Sequence, residues 1–498
     1  MNEVLEIIKS QKLTYEQKVS SLAGAAENTL NVLDIPEETE YYFEKNIIDD
    51  LFEGNAPYRP RYILPDYDKF IKNGSEFLQL DPPEDLDELL NSLMILYRHV
   101  PSITSFPVYL GNLDKMIDPF LDGYSDEEIK KKLKLFLNYL DRTITDSFCH
   151  ANLGPEDTRA GRLILQVEKD LQNAVPNFTF KYDSDITSDE IAELALYTSM
   201  FCANPAMANH KLIKDTYTTD YGIASCYNIL PLAGGAYTLS RIVLPKAAKE
   251  AKDIDDFFEN ILPQSLKRMG DYMNERVRFL VEESGFFESS FLVKEGLIHK
   301  DNFIGMFGIV GLADCTNILL EGKGKKYGHD DEADDLADKI IHTISEFVTG
   351  FTAKYSPISN GHFMLHAQVG MDYDKGITAG VRIPVGDEPE NIFDHLRHSA
   401  RFHELIPTGC SDIFAMETTA RKNPSAILDV VKGAFNLGVK YISFYEENGD
   451  LVRITGYLVK RSEMEKYKND EAVLQNTTHL GGPNYDNNNL KDRKVRGV

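Results

Sequence analysis

The chain has 498 residues, enough to bury a large core in one domain or in two to three smaller ones. Its 53 basic and 79 acidic residues give a formal net charge of −26, which disfavours a nucleic-acid partner because affinity for a phosphate backbone rests on cationic side chains. No run approaches the roughly 18 apolar residues of a membrane helix, and residues 1–6 lack a charged-then-apolar signal, so we expect no membrane association and a cytoplasmic protein.

The first 200 residues are predicted to be mostly helical. Residues 85–100 contain no internal proline and lie between Pro82-Pro83 and Pro101. The strings 125–128 (S-D-E-E) and 187–190 (T-S-D-E) both fit the S/T-x-x-E capping box, and apolar residues recur at helical spacing after each. Between them, residues 149–159 are polar and punctuated by glycine and proline, which favours a loop.

From about residue 220 short apolar segments alternate with helical stretches, which indicates α/β architecture. The apolar segments are 222–230, 303–310, 362–368, 378–384, 440–444 and 451–459. The helical stretches lie near 254–284, 311–321, 331–354, 390–402 and 424–436.

The C-terminal part is predicted to contain a hairpin and a tail. Two apolar runs flank Asn448-Gly449, and Asn-Gly is a strong hairpin turn signal. Beyond Tyr467 the chain is rich in Asn, Gly and Lys, so we expect the last fifteen or so residues to be a loosely held tail.

The cysteines and histidines give no metal pattern. Five cysteines stand far apart, at positions 149, 202, 226, 315 and 410, with no C-x-x-C pair, so neither a disulfide framework nor a zinc ribbon is indicated. His395, His398 and His403 cluster, but their spacing is not a known ligand pattern. We therefore predict no bound metal.

One glycine near the C-terminus suits radical chemistry. Gly456 stands in the string R-I-T-G-Y (453–457), within an apolar run. Loss of a glycine Cα–H leaves a radical between an electron-donating nitrogen and an electron-withdrawing carbonyl, and the missing Cβ lets this centre flatten. A glycine in a strand can equally mark a bulge or a close backbone approach. The pentapeptide alone leaves both interpretations open.

The pentapeptide resembles the radical loop of glycyl radical enzymes, and upstream segments extend this resemblance. Cys226 is followed by Gly234-Gly235 and by the strand 241–245 (R-I-V-L-P), which is similar to the cysteine region of anaerobic ribonucleotide reductases. Residues 307–314 resemble their "I-G-L-x-G-L/M-x-E" segment, and 393–409 resemble the stretch before their "T-G-G" loop. The resemblance covers roughly residues 200–460 in the same order.

Two departures separate the chain from those reductases. It has no zinc-binding cysteine pairs before the glycine, and no N-terminal nucleotide-binding cone is recognisable. The strings 149–159 and 409–414 are similar to the YjjI family of smaller glycyl radical proteins. The resemblance implies a ten-stranded α/β barrel of the glycyl radical type. Within it we expect a helical N-terminal portion (1–140), a barrel with the cysteine loop (141–435), and a C-terminal radical segment with its tail (436–498).

The same resemblance implies the roles of particular residues. Gly456 would carry a glycyl radical, which would generate a thiyl radical on Cys226, and that thiyl would abstract hydrogen from a small substrate under anaerobic conditions. Arg453 and Tyr457 would position the radical loop. The substrate pocket is expected to include Asn228, Cys410 and Glu417.

The implied partners follow from that chemistry. A radical S-adenosylmethionine activating enzyme would form the radical, and S-adenosylmethionine and the iron–sulfur cluster would reside in that activase alone. A homodimer is the assembly that the family resemblance implies. If hydrogen passes directly between the two residues, Gly456 Cα and Cys226 Sγ should lie within roughly 3–6 Å.

The reaction stays open at this stage. Superfamily eliminases place a glutamate two residues after the cysteine as a base, and here that residue is Asn228. Formate-acetyl lyases use adjacent cysteines, and here Ser225 and Tyr227 flank Cys226. The alternatives are a reaction like ribonucleotide reduction, a radical-repair partner for another enzyme, and a non-radical binding protein on a degenerate barrel.

Overall fold

A computed structural model describes residues 3–497 of the chain. The helices are α1 (Glu3–Lys9), α2 (Tyr15–Glu27), α3 (Glu37–Glu44), α4 (Tyr67–Asn73), α5 (Leu86–Tyr97), α6 (Leu113–Ile117), α7 (Asp126–Thr143), α8 (Arg159–Leu171), α9 (Asp189–Cys202), α10 (His210–Ile213), α11 (Leu244–Glu250), α12 (Ile254–Asp256), α13 (Leu262–Glu282), α14 (Phe286–Ser289), α15 (Phe291–Lys294), α16 (Leu312–Leu319), α17 (Asp331–Gly350), α18 (Ile392–His403), α19 (Pro424–Asn436), α20 (Arg461–Lys468) and α21 (Thr477–Asn487).

The strands alternate with these helices along most of the chain. They are β1 (Ile48–Asp49), β2 (Tyr62–Leu64), β3 (His150–Leu153), β4 (Asn177–Tyr182), β5 (Ala206–Asn209), β6 (Tyr221–Ala224), β7 (Asn228–Pro231), β8 (Gly234–Val243), β9 (Phe303–Val310), β10 (Met364–Ala367), β11 (Asp412–Met416), β12 (Tyr441–Glu446), β13 (Leu451–Arg453), β14 (Leu458–Lys460) and β15 (Val495–Arg496).

The fold is built on two large sheets. In the first, the parallel strands β8, β9 and β10 are extended at the β8 edge by β1 and β2, which run antiparallel to it. The second has the order β15-β11-β12-β5-β4-β3, with parallel pairs throughout except between β12 and β5. The remaining hairpins, β6–β7 and β13–β14, belong to neither sheet. This α/β arrangement confirms the predicted fold class, while closure as a ten-stranded barrel stays a prediction.

The N-terminal portion is part of the same body as the sheets. One core cluster joins Leu89 and Leu93 of α5 to Phe180 of β4 and Leu239 of β8. The portion is mostly helical and also contributes β1 and β2 to the first sheet. The predicted boundaries after residues 140 and 435 fall just inside the ends of α7 and α19.

Local capping signals fix several helix starts. Ser125 caps α7 in the predicted box with Glu128. At α9 the cap is Ser188, one residue later than predicted. Thr187 instead donates from its hydroxyl to the carbonyl of Pro155 and accepts the backbone N–H of Asp183. The predicted helix 85–100 is α5, capped by Asp85.

One predicted strand and one predicted strand pairing are not observed. Residues 378–384 form no strand, because the carbonyls of Thr378 and Gly380 accept the N–H groups of Gly311 and Leu312 at the start of α16. The hairpin predicted around Asn448-Gly449 is also wrong. Strand β12 already pairs with β11 on one edge and β5 on the other, so β13 pairs with β14 instead.

The C-terminal residues are not a loose tail. We call residues 475–496 the strap: it contains α21 and β15 and crosses the β13–β14 hairpin. The Gln475 side chain donates to the carbonyl of Asp141 at 3.0 Å, and β15 pairs with β11. Arg493 and Arg496, expected in a solvated end, are 8% and 5% exposed. Buried polar contacts hold this segment although its composition is that of a loop.

None of the helices within residues 3–497 combines the length and the apolar character needed to cross a lipid bilayer.

Candidate active site

Cys226 lies at the tip of a tight hairpin. Strands β6 and β7 pair antiparallel, and their register ends with Ala224 opposite Asn228. Residues 225–227 make the turn, in which Ser225 has a φ of 58°. The apolar run predicted as one strand is therefore two strands with the cysteine between them.

Both large sheets hold the cysteine hairpin through buried hydrogen bonds. His150, on β3, donates from Nδ1 to the carbonyl of Ser225 at 2.9 Å. The hydroxyl of Tyr441, on β12, donates to the carbonyl of Cys226 at 3.2 Å. On the other side the Tyr227 hydroxyl donates to a carbonyl at the end of β10, at 2.7 Å. Anchors from both sheets place the hairpin between them.

Gly456 lies at the tip of the second hairpin. Strands β13 and β14 pair from Leu451 opposite Lys460 to Arg453 opposite Leu458. The turn is residues 454–457, closed by a hydrogen bond of 3.1 Å from the N–H of the first to the carbonyl of the last. The Tyr457 ring packs on Phe148, which adjoins β3, with ring centroids 5.0 Å apart.

Two donors converge on the carbonyl of Gly456. The side-chain amide of Asn177, at the start of β4, donates to it at 2.6 Å, and Nη1 of Arg453 donates at 3.4 Å. Donors at this oxygen increase the electron-withdrawing character of the carbonyl next to the glycine Cα. That is the substituent a radical at Cα needs on one side.

Arg453 is a buried cation with neutral partners. It is 0% exposed, and its guanidinium donates to the carbonyl of Ala203 at 2.8 Å and to the side-chain oxygens of Asn177 and Asn204 at 3.1 and 3.3 Å. Burial lowers its pKa from the ordinary value. A guanidinium without a carboxylate is costly to bury, so several well-placed acceptors are required. These contacts tie the glycine hairpin to the ends of β4 and α9.

The two hairpin tips touch. A Cβ placed on Gly456 would lie 2.2 Å from Cys226 Cβ and 2.9 Å from Cys226 Sγ. Since a carbon–carbon bond adds about 1.5 Å, the glycine Cα and the sulfur are less than about 4.5 Å apart. The predicted proximity is confirmed. Gly456 has no left-handed φ, so it is the approach of Cys226 that excludes a larger side chain here.

The sulfur of Cys226 is held as a thiol. The residue is 4% exposed, and burial raises its pKa to about 12. Cysteine nucleophiles and metal ligands have depressed pKa values, because the thiolate is the reactive form. A thiol that stays protonated keeps its S–H bond. Hydrogen-atom transfer requires that bond, whereas nucleophilic catalysis requires its loss.

A cavity of about 170 Å³ adjoins Cys226. Its apolar lining comes from Leu51, Phe52, Tyr62, Ile103, Phe148, Val369, Met371 and Leu480, and its polar lining from Arg61, Thr104, Ser225, Asn228, His366 and Gln368. An apolar cavity of roughly 150 Å³ can hold benzene. The volume therefore suits a molecule of about six to eight non-hydrogen atoms.

The polar groups of the cavity have unused hydrogen-bonding capacity. Arg61 donates from Nη1 to Glu53 at 2.9 Å, while its buried Nε has no partner. His366 contacts the carbonyl of Thr408 through Nδ1 at 3.2 Å, and burial lowers its pKa to about 3. Because a carbonyl can only accept, Nδ1 carries the proton. The neutral ring then leaves Nε2 as an acceptor, beside the Gln368 side chain, which also lines the cavity.

The predicted pocket residues lie in different places. Asn228 lines the cavity beside Cys226. Cys410 does not: it is 1% exposed in a separate core cluster, behind Tyr227. Glu417 follows β11 at its other end, where its N–H donates to the carbonyl of Arg496 in the strap. Neither residue lines this cavity, and a role for them in a substrate pocket stays a prediction.

The sequence interpretation missed the residues that support the hairpins. His150 and Asn152 were interpreted as part of a loop, but they lie on β3 and are buried. The Asn152 side chain makes two hydrogen bonds, of 2.8 and 2.9 Å, with the backbone of Ile223 on β6. A polar residue at every second position of 149–153 was the available signal, since alternation is the strand pattern.

The three clustered histidines have acidic or backbone partners. His395 and His398 contact Asp412 and Asp334 at 3.4 and 3.2 Å. His403 accepts the backbone N–H of Lys440 at 3.1 Å. Within residues 3–497 no group of three or more His, Cys, Asp or Glu side chains is arranged to hold a metal ion.

The chain is similar to known proteins over nearly its whole length. The profile of the family described as "Glycyl radical enzyme YjjI-like" matches residues 13–496. An uncharacterized protein of Haemophilus influenzae is 44% identical over 504 residues, covering 100% of this chain and 98% of its own. The uncharacterized protein YjjI of Escherichia coli K12 is 42% identical over 496 residues, covering 99% and 95%.

Solved structures with low sequence identity share the fold. The B12-independent glycerol dehydratase of Clostridium butyricum has a TM-score of 0.70 at 12% identity, covering 100% of this chain and 89% of its own. The anaerobic ribonucleotide reductase of Thermotoga maritima, in complex with dATP and CTP, has a TM-score of 0.67 at 14% identity, covering 87% and 85%. The chain therefore shares the α/β barrel fold of these two enzymes, and the number of barrel strands stays a prediction.

Proposed function

Because the chain belongs to the YjjI-like glycyl radical enzyme family, we propose that it is an enzyme whose glycyl radical forms on Gly456 and acts through Cys226. One observation carries the proposal. Residues separated by 230 positions in the chain meet at the tips of two hairpins, with the sulfur less than about 4.5 Å from the glycine Cα. A strand glycine with a merely structural role has no need of a thiol at that place.

The proposed reaction begins with two hydrogen-atom transfers. The Gly456 radical takes the hydrogen of the Cys226 S–H, so that a Cα–H bond forms, an S–H bond breaks and the unpaired electron passes to sulfur. The thiyl then takes hydrogen from a C–H bond of a substrate in the 170 Å³ cavity. Reversal of both steps after the substrate has reacted restores the glycyl radical, so the pair requires no net oxidant.

Each hairpin supplies a condition for these transfers. Asn177 and Arg453 hold and polarise the Gly456 carbonyl, and Tyr457 packs the hairpin against Phe148. Burial raises the pKa of Cys226 to about 12, so the residue stays a thiol at neutral pH. A packed interior also excludes water and dioxygen from the radical.

Activation would require the glycine hairpin to leave the barrel. A radical S-adenosylmethionine activase would supply the hydrogen-abstracting chemistry from its own cofactors. Strand β12 lies between β11 and β5, so the unit that opens would begin after Glu446 rather than near residue 440. That unit comprises the hairpin, α20 and the strap. A homodimer is the assembly we propose by analogy with the family.

The cavity volume disfavours ribonucleotide reduction. Pockets for drug-sized ligands measure roughly 300–1,000 Å³, and the space beside Cys226 is about 170 Å³. A radical-repair role is also disfavoured, because the chain keeps the cysteine hairpin and a cavity beside it. The substrate is therefore proposed to be small.

The experiment uses dioxygen, which adds to a glycyl radical and breaks the backbone there. Protein activated anaerobically by its radical S-adenosylmethionine partner should show a glycyl doublet in electron paramagnetic resonance. On exposure to air it should lose a C-terminal piece carrying about 5 kDa of its 56.3 kDa mass. Unactivated protein should stay intact. A doublet followed by cleavage at another position would show that Gly456 is not the radical site.

A further inference from the structure

The cavity beside Cys226 has a single charged side chain in its lining. Among the residues that line it, Arg61 alone is ionised at neutral pH, and no Asp or Glu faces the space. The side chain is buried, at 7% relative exposure. A buried cation that faces a cavity is stabilised by an anion bound in that cavity.

The acid that neutralises Arg61 is shared. One oxygen of Glu53 accepts from Arg61 and from the N–H of Leu239, at 2.9 and 2.7 Å. The other accepts from the Thr238 hydroxyl and from Nε of Arg276, the latter at 3.0 Å. Glu53 thus serves two guanidinium groups and two further donors, and it does not line the cavity.

Arg61 keeps donor capacity for a ligand. Its Nε is buried and has no hydrogen-bond partner. A guanidinium presents its N–H groups as a planar fork, which matches the two oxygens of a carboxylate. The volume of about 170 Å³ also favours a carboxylate, since a phosphate group would occupy more of the space and leave less for the reacting carbon.

The neutral polar groups of the cavity require a ligand that can also donate a hydrogen bond. His366 is neutral, with Nδ1–H donating to Thr408, so its Nε2 can only accept. The Asn228 side-chain amide, two residues from Cys226, can accept and donate. A substrate hydroxyl satisfies these groups. Here the hydroxyl would be bound by neutral side chains, in contrast to a site with a glutamate base.

We propose that the cavity binds a small hydroxycarboxylate, with its carboxylate at Arg61 and its hydroxyl at His366 and Asn228, so that a C–H bond faces Cys226. The ligand has about six to eight non-hydrogen atoms, the number that a cavity of this size admits. Calling this ligand the substrate rests on the proposed radical function. Its binding does not.

The test measures binding to unactivated, full-length protein by isothermal titration calorimetry. The acids are glycerate, lactate and 3-hydroxybutyrate, and each is paired with the alcohol that has CH₂OH in place of the carboxylate: glycerol, propane-1,2-diol and butane-1,3-diol. At least one acid should bind about tenfold or more tightly than its alcohol, the ratio expected for a charge-assisted pair. Inorganic phosphate should bind more weakly than that acid.

Three variants locate the carboxylate. Arg61→Gln should weaken binding of the acid by about 10- to 100-fold and leave the alcohol unchanged. Arg276→Gln is the matched control, because it loses the same Glu53 partner without lining the cavity, and it should change affinity by less than about threefold. Asn228→Asp is isosteric and places a carboxylate in the cavity beside that of the acid, so it should weaken binding of the acid more than binding of its alcohol.

Several outcomes would overturn the proposal. These are binding of no acid at millimolar concentration, tighter binding of an alcohol or of phosphate, and equal effects of the Arg61 and Arg276 substitutions. Thermal unfolding of each variant identifies a loss of fold, in which case Asn228→Asp decides. A glycyl radical without hydroxycarboxylate binding would refute this inference alone, and binding without any radical would refute the proposed function alone.

Discussion

The two hairpins that meet at the candidate active site differ in what covers them. The cysteine hairpin is anchored from both sheets by His150, Tyr441 and the Tyr227 hydroxyl. The glycine hairpin is also tied to a sheet, through Asn177 on β4, but it lies under the strap. Arg493 of the strap donates to the carbonyl of Arg453 at 3.4 Å. The comparison indicates different roles for the two hairpins. Cys226 stays in place beside the cavity, whereas Gly456 lies on a segment that can be released.

The largest expected effect separates the two hairpins chemically. Cys226→Ser should still form the glycyl radical on activation, because Gly456 and its supports are unchanged, but turnover should be lost. An alcohol O–H bond is too strong to pass its hydrogen to the radical. Electron paramagnetic resonance and consumption of any accepted substrate are measured on the same sample. Turnover by this variant would remove Cys226 from the mechanism.

Gly456→Ala tests the contact from the other side. A methyl group 2.2 Å from Cys226 Cβ forces the tips apart, so the free energy of unfolding should fall by about 1–3 kcal/mol and no glycyl doublet should form. Chemical denaturation and electron paramagnetic resonance give the two readouts.

The matched control for that substitution is Gly433→Ala in α19. Nothing lies within 4 Å of the added Cβ there, and the change should be neutral or stabilising by up to about 1 kcal/mol. Equal stability losses in the two variants would mean that the hairpin tips are not in tight contact.

Acidification should weaken the anchors of the cysteine hairpin. Burial lowers the pKa of His150 to about 3, below the ordinary value near 6.5. The neutral form is therefore favoured on folding, and the stability that it contributes is complete above pH 6.5 and is lost as pH falls towards 3. At pH 5 the loss from this residue is about 2 kcal/mol. Thermal unfolding between pH 7.5 and 5 should show a steep decline.

Two variants identify the source of that decline. His150→Asn should be less stable at pH 7.5 but should lose less stability between pH 7.5 and 5. The difference is the share of His150, because burial also lowers the pKa of His366 and His403 to about 3 and these rings still titrate. His342→Gln changes an exposed ring on α17 that contacts only a carbonyl of its own helix, and its curve should run parallel to that of the unmodified protein. Parallel curves for both variants would contradict a role for His150.

The smallest expected effect concerns the strap. Arg493→Ala removes the hydrogen bond to Arg453 and a cation–π contact of 5.6 Å with Tyr445, together worth about 1–2 kcal/mol. Hydrogen exchange of residues 451–460 should become about 5- to 30-fold faster, while exchange of residues 221–231 stays unchanged. Equal acceleration in both segments would show that the hairpins open together.

Lys494→Ala is the neighbouring control for the strap. Its ammonium pairs with Glu390, which is 92% exposed, so the contact is worth less than about 1 kcal/mol. Exchange of the glycine hairpin should remain within about threefold of the unmodified rate.

Local sequence patterns correctly predicted the helices and strands whose bounds are set by interactions between neighbouring residues. Residues 303–310 and 424–436 were predicted with the bounds that β9 and α19 have, and Ser125 caps α7 in its box. Each signal is complete within one segment: an apolar run between turn residues, a proline at a helix start, a hydroxyl three residues before a glutamate. The resemblance to glycyl radical enzymes likewise rested on short strings, and the family and fold that it implied are confirmed.

The pairing of strands could not be read locally. The Asn448-Gly449 turn is a strong hairpin signal, yet β12 was unavailable because β11 and β5 occupy its edges. The polar residues of β3 read as a loop because their partners, Ser225 and Ile223, lie more than 70 residues away. The strap read as a tail for the same reason, since its hydrogen bonds go to distant backbone groups.

The sequence by itself determined the chemistry that the chain can attempt. It specified a glycine in the R-I-T-G-Y string, a cysteine far upstream, and short strings that resemble glycyl radical enzymes. Tertiary structure alone decided that Gly456 and Cys226 touch, that Asn228 faces a cavity while Cys410 and Glu417 do not, and that Arg61 is the charge within it. Those facts depend on how distant segments pack, which no local pattern encodes.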